Sequence, residues 1–480
     1  MSDNSTNSHP PVQRETGENV PHTRDRGEFR EGGHSEDSRD SQLPPDASTR
    51  PRNTAATRSG GFQSAHKNWR RNLLKPRFVH HLVAWPSCLM GPAQFIGRSP
   101  AAALHRTLVF RCWPNRPRWQ WFPLLGASLI RWYLLGIWIQ LFRCFKVVDS
   151  SITDTGKTRW EQVRGLLYLG LYVGARPVDY YRFRLYLYER ERWLNFVFFQ
   201  EQSCWHAVHS FPNGSEGAAL LGDKLRFEKL ARKNGLRVVQ TLASFRAGDA
   251  PELEDLSRRD SVFLKPNSAN QMRGCMMLDR NDSGGHRLHG YSLDGKPVDT
   301  SERDAIVATL SDAFAEEDYL VQETLCNSTE LSHFCETKRL VNLRLHTART
   351  GQGIELVCPD LEVRADDDLF HINPIDVNGR VSLHSGHSPE QPIPAYCNSD
   401  EKIPRWKETV SVVRRAHGLL PNVRTVGWDL TVTDEGTTLI EGNSCWGIHV
   451  LQQVSGTPIL ETPALDAWSV MDRHETGKTT

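Results

Sequence analysis

The segment Thr425–Asn443, TVGWDLTVTDEGTTLIEGN, constrains this chain more than any other. Apolar and β-branched runs flank Asp434-Glu435-Gly436, a composition that reverses an extended chain and predicts a hairpin. Side chains on a strand alternate between faces, so Glu441 and Asn443 share one face, and a short turn sets Asp429 opposite them. Two carboxylates and an amide oxygen then converge on one point. Hard oxygen donors of this kind suit Mg²⁺ bound together with substrate phosphates. Without a cation, the two carboxylates would raise each other's pKa. A polar, solvent-facing hairpin fits these residues equally well when they are read alone.

Three further segments carry chemistry-bearing residues. In SVFLKPNSANQMRGCMML an apolar strand ends at Lys265-Pro266, and a loop of small and polar residues follows. A lysine at the end of a buried strand suits a phosphate, and the loop would lie over it through backbone N–H groups. The alternative is a strand end with a solvated lysine. No Walker A sequence occurs in the chain. In YLVQETLCNSTELSHF a strand runs into Gln322-Glu323-Thr324-Leu325. A strand leading into a hinge offers backbone N–H and C=O groups to an adenine edge, and Glu330 follows within reach of a ribose. In LVNLRLHTAR, Asn342, Arg344 and His346 share one face of a strand. An arginine there would stabilise charge on a transferring phosphoryl group, or would simply face water.

The texture from about 222 onward is α+β. Candidate strands are 237–241, 261–265, 319–323, 341–347, 354–357, 425–432 and 438–442. Candidate helices are 224–234, 301–314 and 404–419. Short strands this close in sequence exclude a parallel dinucleotide-binding sheet. Residues 1–65 are too polar to bury a core and read as a disordered tail. Residues 66–150 form a basic, then strongly apolar, helical segment. Its core, 119–148, is long enough to span a bilayer but contains Arg131. It fits an interfacial helix, a buried helix or, least well, a membrane span. Residues 151–221 form a helical region, with a helix start at Pro177–Asp179 and a turn at Asn213-Gly214; 222–465 form the main domain, and 466–480 a flexible tail.

A net charge of +1 argues against nucleic acid as the partner. The ten cysteines include no CxxC and no zinc-finger spacing, so they read as reduced thiols in a cytoplasmic protein. No apolar leader lies in the first 60 residues.

Taken in order, Lys224, Lys265, Gln322–Leu325, Arg344, Asp429 and Glu441-x-Asn443 resemble the ATP-grasp superfamily. More narrowly they resemble the sugar-transfer-associated ATP-grasp family, which is similar to α-L-glutamate ligase-like proteins. The narrower match rests on DYYRFRLY (179–186), GDKLRF (222–227), LVQETL (320–325), VNLR (341–344), GWDL (427–430) and LIEGN (439–443). It also includes the helix start at Ile403–Trp406 and Ala416-His417, and covers about residues 155 to 455. The resemblance implies an ATP-grasp fold, two α+β subdomains clamping ATP, preceded by the helical region and tail. It implies that Lys224 and Lys265 bind nucleotide phosphates. Gln322, Glu323 and Leu325 would form the adenine hinge, with Glu330 at the ribose. Arg344 would sit at the γ-phosphate or acyl phosphate, with Lys265 and Arg344 as the catalytic pair. Asp429, Glu441 and Asn443 would hold Mg²⁺. Two departures stand out: the loop after Lys265 lacks a run of glycines, and 361–380 lacks the Asp-Asn and paired glycines of the narrower family.

The expected activity is ADP-forming ligation of a small-molecule carboxylate to an amine or sugar-linked acceptor, in polysaccharide or amino-sugar modification. His384, His387 and Arg364 are acceptor-side candidates. The expected location is cytoplasmic, with inner-membrane surface contact through 66–148. Two alternatives remain open: a catalytically weak nucleotide-binding scaffold at the membrane, and an ATP-grasp kinase that phosphorylates its acceptor directly.

Overall fold

The computed structural model describes residues 91–111, 118–209, 216–249, 252–256, 258–268, 272–281, 284–335, 339–364, 370–382 and 401–467. The expectations for the tail 1–65, the basic stretch 66–90, the turn Asn213-Gly214, His384, His387 and the end beyond 467 lie outside these residues, as does the side chain of Arg364.

The N-terminal part is helical. α1 (Pro100–Arg111) is followed by a long helix, α2. It begins at Arg118–Arg131, passes through a π turn at Trp132–Gly136 and continues as Ile137–Val148. Its inner face inserts Trp132, Ile137, Leu141, Cys144 and Val148 among Leu166, Leu169, Val173, Tyr180 and Phe183. Residues 156–200 are helical only at first, as α3 (Arg159–Leu167). A Thr158–Glu161 capping box starts α3, with Thr158 Oγ1 accepting from the Glu161 N–H. After Gly174 the chain breaks into single turns packed by aromatic rings, the first of them a helical turn at Asp179–Arg182 just behind Pro177. Cys204, buried on α4 (Gln202–His209), is disulfide-bonded. That corrects the reading of all ten cysteines as thiols.

Next come α5 (Lys224–Lys233) and a first antiparallel sheet. This sheet contains β1 (Thr241–Phe245), β2 (Ser261–Pro266), β3 (Met276–Arg280), β4 (His286–Tyr291), β5 (Pro297–Thr300) and β6 (Tyr319–Glu323). Their order is β1-β6-β2-β3-β4-β5. α6 (Arg303–Glu316) covers one face, burying Ile306, Leu310, Ala313 and Phe314 against β2, β3 and β4. The second sheet contains β7 (Asn342–Thr350), β8 (Gly353–Leu356), β9 (Asp360–Arg364), β10 (Phe370–Pro374), β11 (Thr425–Thr433) and β12 (Gly436–Asn443). Its order is β10-β9-β7-β11-β12, with β8 paired to β7. α7 (Trp406–Gly418) packs Val412, Val413 and Ala416 onto it, and α8 (Ile448–Ser455) leads back to the helical part.

The expected strand 237–241 divides between the two sheets. Val238 bridges Leu439 in parallel, the Val239 N–H donates to the Leu439 carbonyl at 3.0 Å, and the regular strand begins only at Thr241. This short connection joins the edge of the second sheet to the edge of the first.

Candidate functional site

Lys265 lies near the end of β2, an inner strand flanked by β6 and β3. It is only 4% exposed, yet its Nζ lies 3.7 Å from Oε2 of Glu441 on β12. The contact spans the two sheets. Lys224 is brought to the same place by its helix. Asp223 caps α5 by accepting from the Arg226 N–H at 3.1 Å. Asn267, two residues beyond Lys265, laces that cap to the end of β2. Its Nδ2 donates to Asp223 Oδ1 at 3.1 Å, and its Oδ1 accepts from the Leu225 N–H at 3.1 Å. Its carbonyl accepts from Lys224 Nζ at 3.4 Å. Burial lowers the Lys224 pKa, and Lys265 adds to the shift while Glu441 opposes it. Two ammonium groups with one nearby carboxylate make a site with affinity for added negative charge.

On the second sheet Asp429 stands opposite Glu441 in the β11–β12 pair and opposite Arg344 in the β11–β7 pair. Asn443 Nδ2 donates to Asp429 Oδ2 at 3.0 Å and to Glu441 Oε1 at 3.2 Å. Gly442, between them, faces the other way. A Cβ there would lie 2.5 Å from the Trp428 ring, so only glycine lets the strand close on that tryptophan. Arg344 Nε donates to Asp429 Oδ1 at 2.8 Å, and its Nη1 lies 2.8 Å from Glu362 Oε1. Burial lowers the Arg344 pKa, but Asp429 and Glu362 outweigh it and raise the value overall. Asn342 Nδ2 donates to both Glu362 and Asp429. Glu362 and Asp360, buried on β9, are carboxyls whose pKa burial raises.

The space between the sheets is lined by Leu221, Lys224, Phe227, Lys265, Gln322 and Glu441, among others. Gln322 is buried on β6, and its Nε2 donates to Thr241 Oγ1 at 3.2 Å. Glu323, Leu325 and Glu330 are not among the residues that line this space. Glu323 Oε1 accepts from the Gln240 N–H at 2.8 Å, which engages its carboxylate in holding the sheet edge. Leu325 is half-buried past the end of β6. Glu330 is exposed on the turn Thr329–Ser332, where the Thr329 N–H donates to Asp434 Oδ1 at 3.0 Å. That is the turn end of the hairpin, away from the end that carries Asn443.

Asp429, Glu441 and Asn443 fit a divalent cation through the chemistry of their donors. The Asn443 amide sits between the two carboxylates, and a 180° rotation replaces its N–H₂ by an oxygen at the same point. Among the described residues no group of three or more His, Cys, Asp or Glu side chains is placed to hold a metal. A cation here would rely on two carboxylates, one amide oxygen and phosphate oxygens. After β2, residues 269–271 of the covering loop lie outside the described residues. Gly274 at its end has φ +74°, and a Cβ there would meet Tyr319, Leu293 and Pro266 at 2.6–2.7 Å.

Asn267 and Glu362 are absent from the sequence-based set. Asn267 was legible only as part of a polar loop, and Glu362 lies on a strand not recognised from its sequence.

No family profile and no curated protein matches the chain. Solved structures do. The chain is structurally similar to ATP-grasp ligases. D-alanine–D-alanine ligase from Bacillus anthracis complexed with ATP aligns at 10% identity and TM-score 0.33, over 54% of this chain and 69% of that one. The ATP-grasp ligase PsnB complexed with minimal precursor aligns at 14% identity and TM-score 0.33, over 54% and 63%. L-amino acid ligase from Bacillus licheniformis aligns at 11% identity and TM-score 0.30, over 52% and 51%. Of the last two, the chain spans less than two thirds.

Proposed function

We propose that this chain is an ATP-dependent ligase that activates a carboxylate as an acyl phosphate and joins it to an amine. The observation that carries this reading is the meeting of Lys265, from one sheet, with Glu441, from the other. The contact sits beside Lys224 on one side and the Asp429–Asn443–Arg344 group on the other. Such an arrangement supplies cations for a polyphosphate and oxygen donors for its metal within one cleft.

In the reaction an oxygen of the substrate carboxylate attacks the γ-phosphorus of ATP. The bond between that phosphorus and the β,γ-bridging oxygen breaks, and ADP leaves. The amine nitrogen then adds to the acyl carbon, loses a proton and expels phosphate. Lys265 and Lys224 bind and orient the phosphates. Arg344, anchored by Asp429 and Glu362, directs its remaining N–H groups at the phosphoryl being transferred. Mg²⁺ held by Asp429, Glu441 and Asn443 would neutralise charge on the phosphates. Gln322 borders the cleft where an adenine would lie. The carboxylate and the amine are small molecules; a sugar-linked acceptor fits the same chemistry.

Calorimetry of ATP binding with and without Mg²⁺ tests this. Wild type should bind only weakly without the metal, Lys265→Ala should lose binding, and Asp429→Ala should lose the metal dependence. Wild-type protein that does not bind ATP would overturn the reading. Binding with phosphorylation of an acceptor, and no amide product, would assign a kinase instead.

A further inference from the structure

The long helix α2 has two apolar faces, and the fold uses one. Along the inner face Trp132, Ile137, Leu141, Cys144 and Val148 are buried in the helical core. Trp132 Nε1 also donates to the Gly170 carbonyl at 3.2 Å, and the Tyr133 hydroxyl donates to the Leu171 carbonyl at 3.0 Å. On the outer side Leu134, Leu135, Trp138, Phe142 and Phe145 recur at helical spacing, with Leu134 68% and Phe142 62% exposed. Only 17% of the most apolar 18-residue window within Phe122–Ser151 is buried. The inner face packs on the helical core, while most of that window faces outward. Trp160, on α3 packed beside α2, is 67% exposed as well. Soluble proteins rarely leave an apolar stripe of this length open to water.

Charge identifies what covers it. No aspartate or glutamate occurs between Asp46 and Asp149, while that stretch holds 16 arginines and lysines in a chain whose net charge is +1. Arg131, Arg143 and Lys146 lie on the helix itself, and Trp119 and Trp138 are both exposed. Exposed tryptophans beside basic residues, around a stripe of Leu and Phe, match the boundary between headgroups and acyl chains of an anionic bilayer. A second copy of this chain would bring like charges together.

The attachment of α2 decides its orientation. Its inner face is fastened along Trp132–Val148 to residues 166–183, which also carry the buried ion group Arg176, Asp179 and Arg182. A helix held lengthwise on such a body presents its side to its surroundings. We propose that α2 is an interfacial anchor that lies in the plane of an anionic membrane, outer face down, and does not cross it. This proposal stands independently of the ligase reading.

The test is cosedimentation of the full chain with phosphatidylcholine vesicles, with and without about 30 mol % phosphatidylglycerol. Binding should be about tenfold stronger to the anionic vesicles and should fall with added salt. It should be released by alkaline carbonate. The double variant Leu134→Glu, Phe142→Glu should lose binding. Because both side chains point away from the core, its melting temperature should stay within about 2 °C of wild type. Wild type left in the supernatant with both vesicles would overturn the proposal, as would equal binding to both. Resistance to carbonate would mean a spanning helix. A vesicle-independent dimer abolished by the same double variant would assign the face to a second copy. Should the double variant misfold, Trp138→Ala, with wild-type salt dependence and carbonate release, still decides.

Discussion

Asp429 and Glu441 are direct partners across the β11–β12 pair, and the register slips immediately beyond them, so that Leu430 pairs with Leu439 and Ile440 is left over. A bulge at this point re-aims the side chains beside it. Here it turns Ile440 into the lining of the cleft while Glu441 faces Lys265. The two carboxylates should act as a unit. Asp429→Asn and Glu441→Gln should each lower ATP turnover by about 100-fold or more, and the double variant should be little worse than either. Steady-state ADP release would measure this; full additivity would separate their roles.

Asn267 makes a distinct prediction because it touches neither sheet's carboxylates. Asn267→Ala removes both hydrogen bonds to the start of α5, which should loosen Lys224. We expect a rise in KM for ATP of about tenfold, with kcat less affected and a stability loss of about 1–2 kcal/mol. Equal falls in kcat and kcat/KM would place Asn267 in the transition state instead.

Acid should unfold this protein through histidines. His346 and His417 are buried, and burial lowers each pKa to about 4. The His417 Nε2–H donates to the Val423 carbonyl, leaving Nδ1 to accept from Thr347 Oγ1, which itself accepts from Trp428 Nε1. Protonating Nδ1 would break that chain. The unfolded state takes up protons first as pH falls through 6.5, so stability is lost between about 6.5 and 4, by roughly 3 kcal/mol for each such histidine. Denaturation curves across that range, with NMR showing a neutral His417 at pH 5, would check this.

Asp360 works in the opposite direction. Burial holds its carboxyl pKa above the ordinary 3.8, with Glu362 adding to the effect and Arg344 opposing it. The folded state therefore keeps a proton that the unfolded state releases, and stability falls as pH rises from that value toward the raised one. Asp360→Asn, which cannot ionise, should gain on wild type steadily with pH. A melting-temperature difference that does not change with pH would refute it.

Much of the fold was legible where periodicity and turn chemistry agree. β2, β6, β11 and β12, with α5, α6 and α7, fall within a few residues of the sequence expectation, because apolar alternation, caps and the Asp-Glu-Gly turn all point to the same element. β3, β4, β5, β9 and β10 were missed. Strands such as HRLHGY and PVDT have mixed polarity, and their pairing comes from neighbours distant in sequence. The site was legible in its residue types more than in its wiring. Spacing set Glu441 and Asn443 on one face, but nothing local indicates that Glu323 binds a neighbouring N–H or that Glu362 shares Arg344.

The short connection through Val238 and Val239 gives the molecule a spine. The chain bonds to Leu439 of one sheet, and the backbone of the next residue, Gln240, bonds to Glu323 of the other. Along this edge a single stretch of backbone bonds to both sheets. They are joined as well by the Lys265–Glu441 ion pair, and a polyanion drawn to Lys265 would compete with Glu441 for its ammonium.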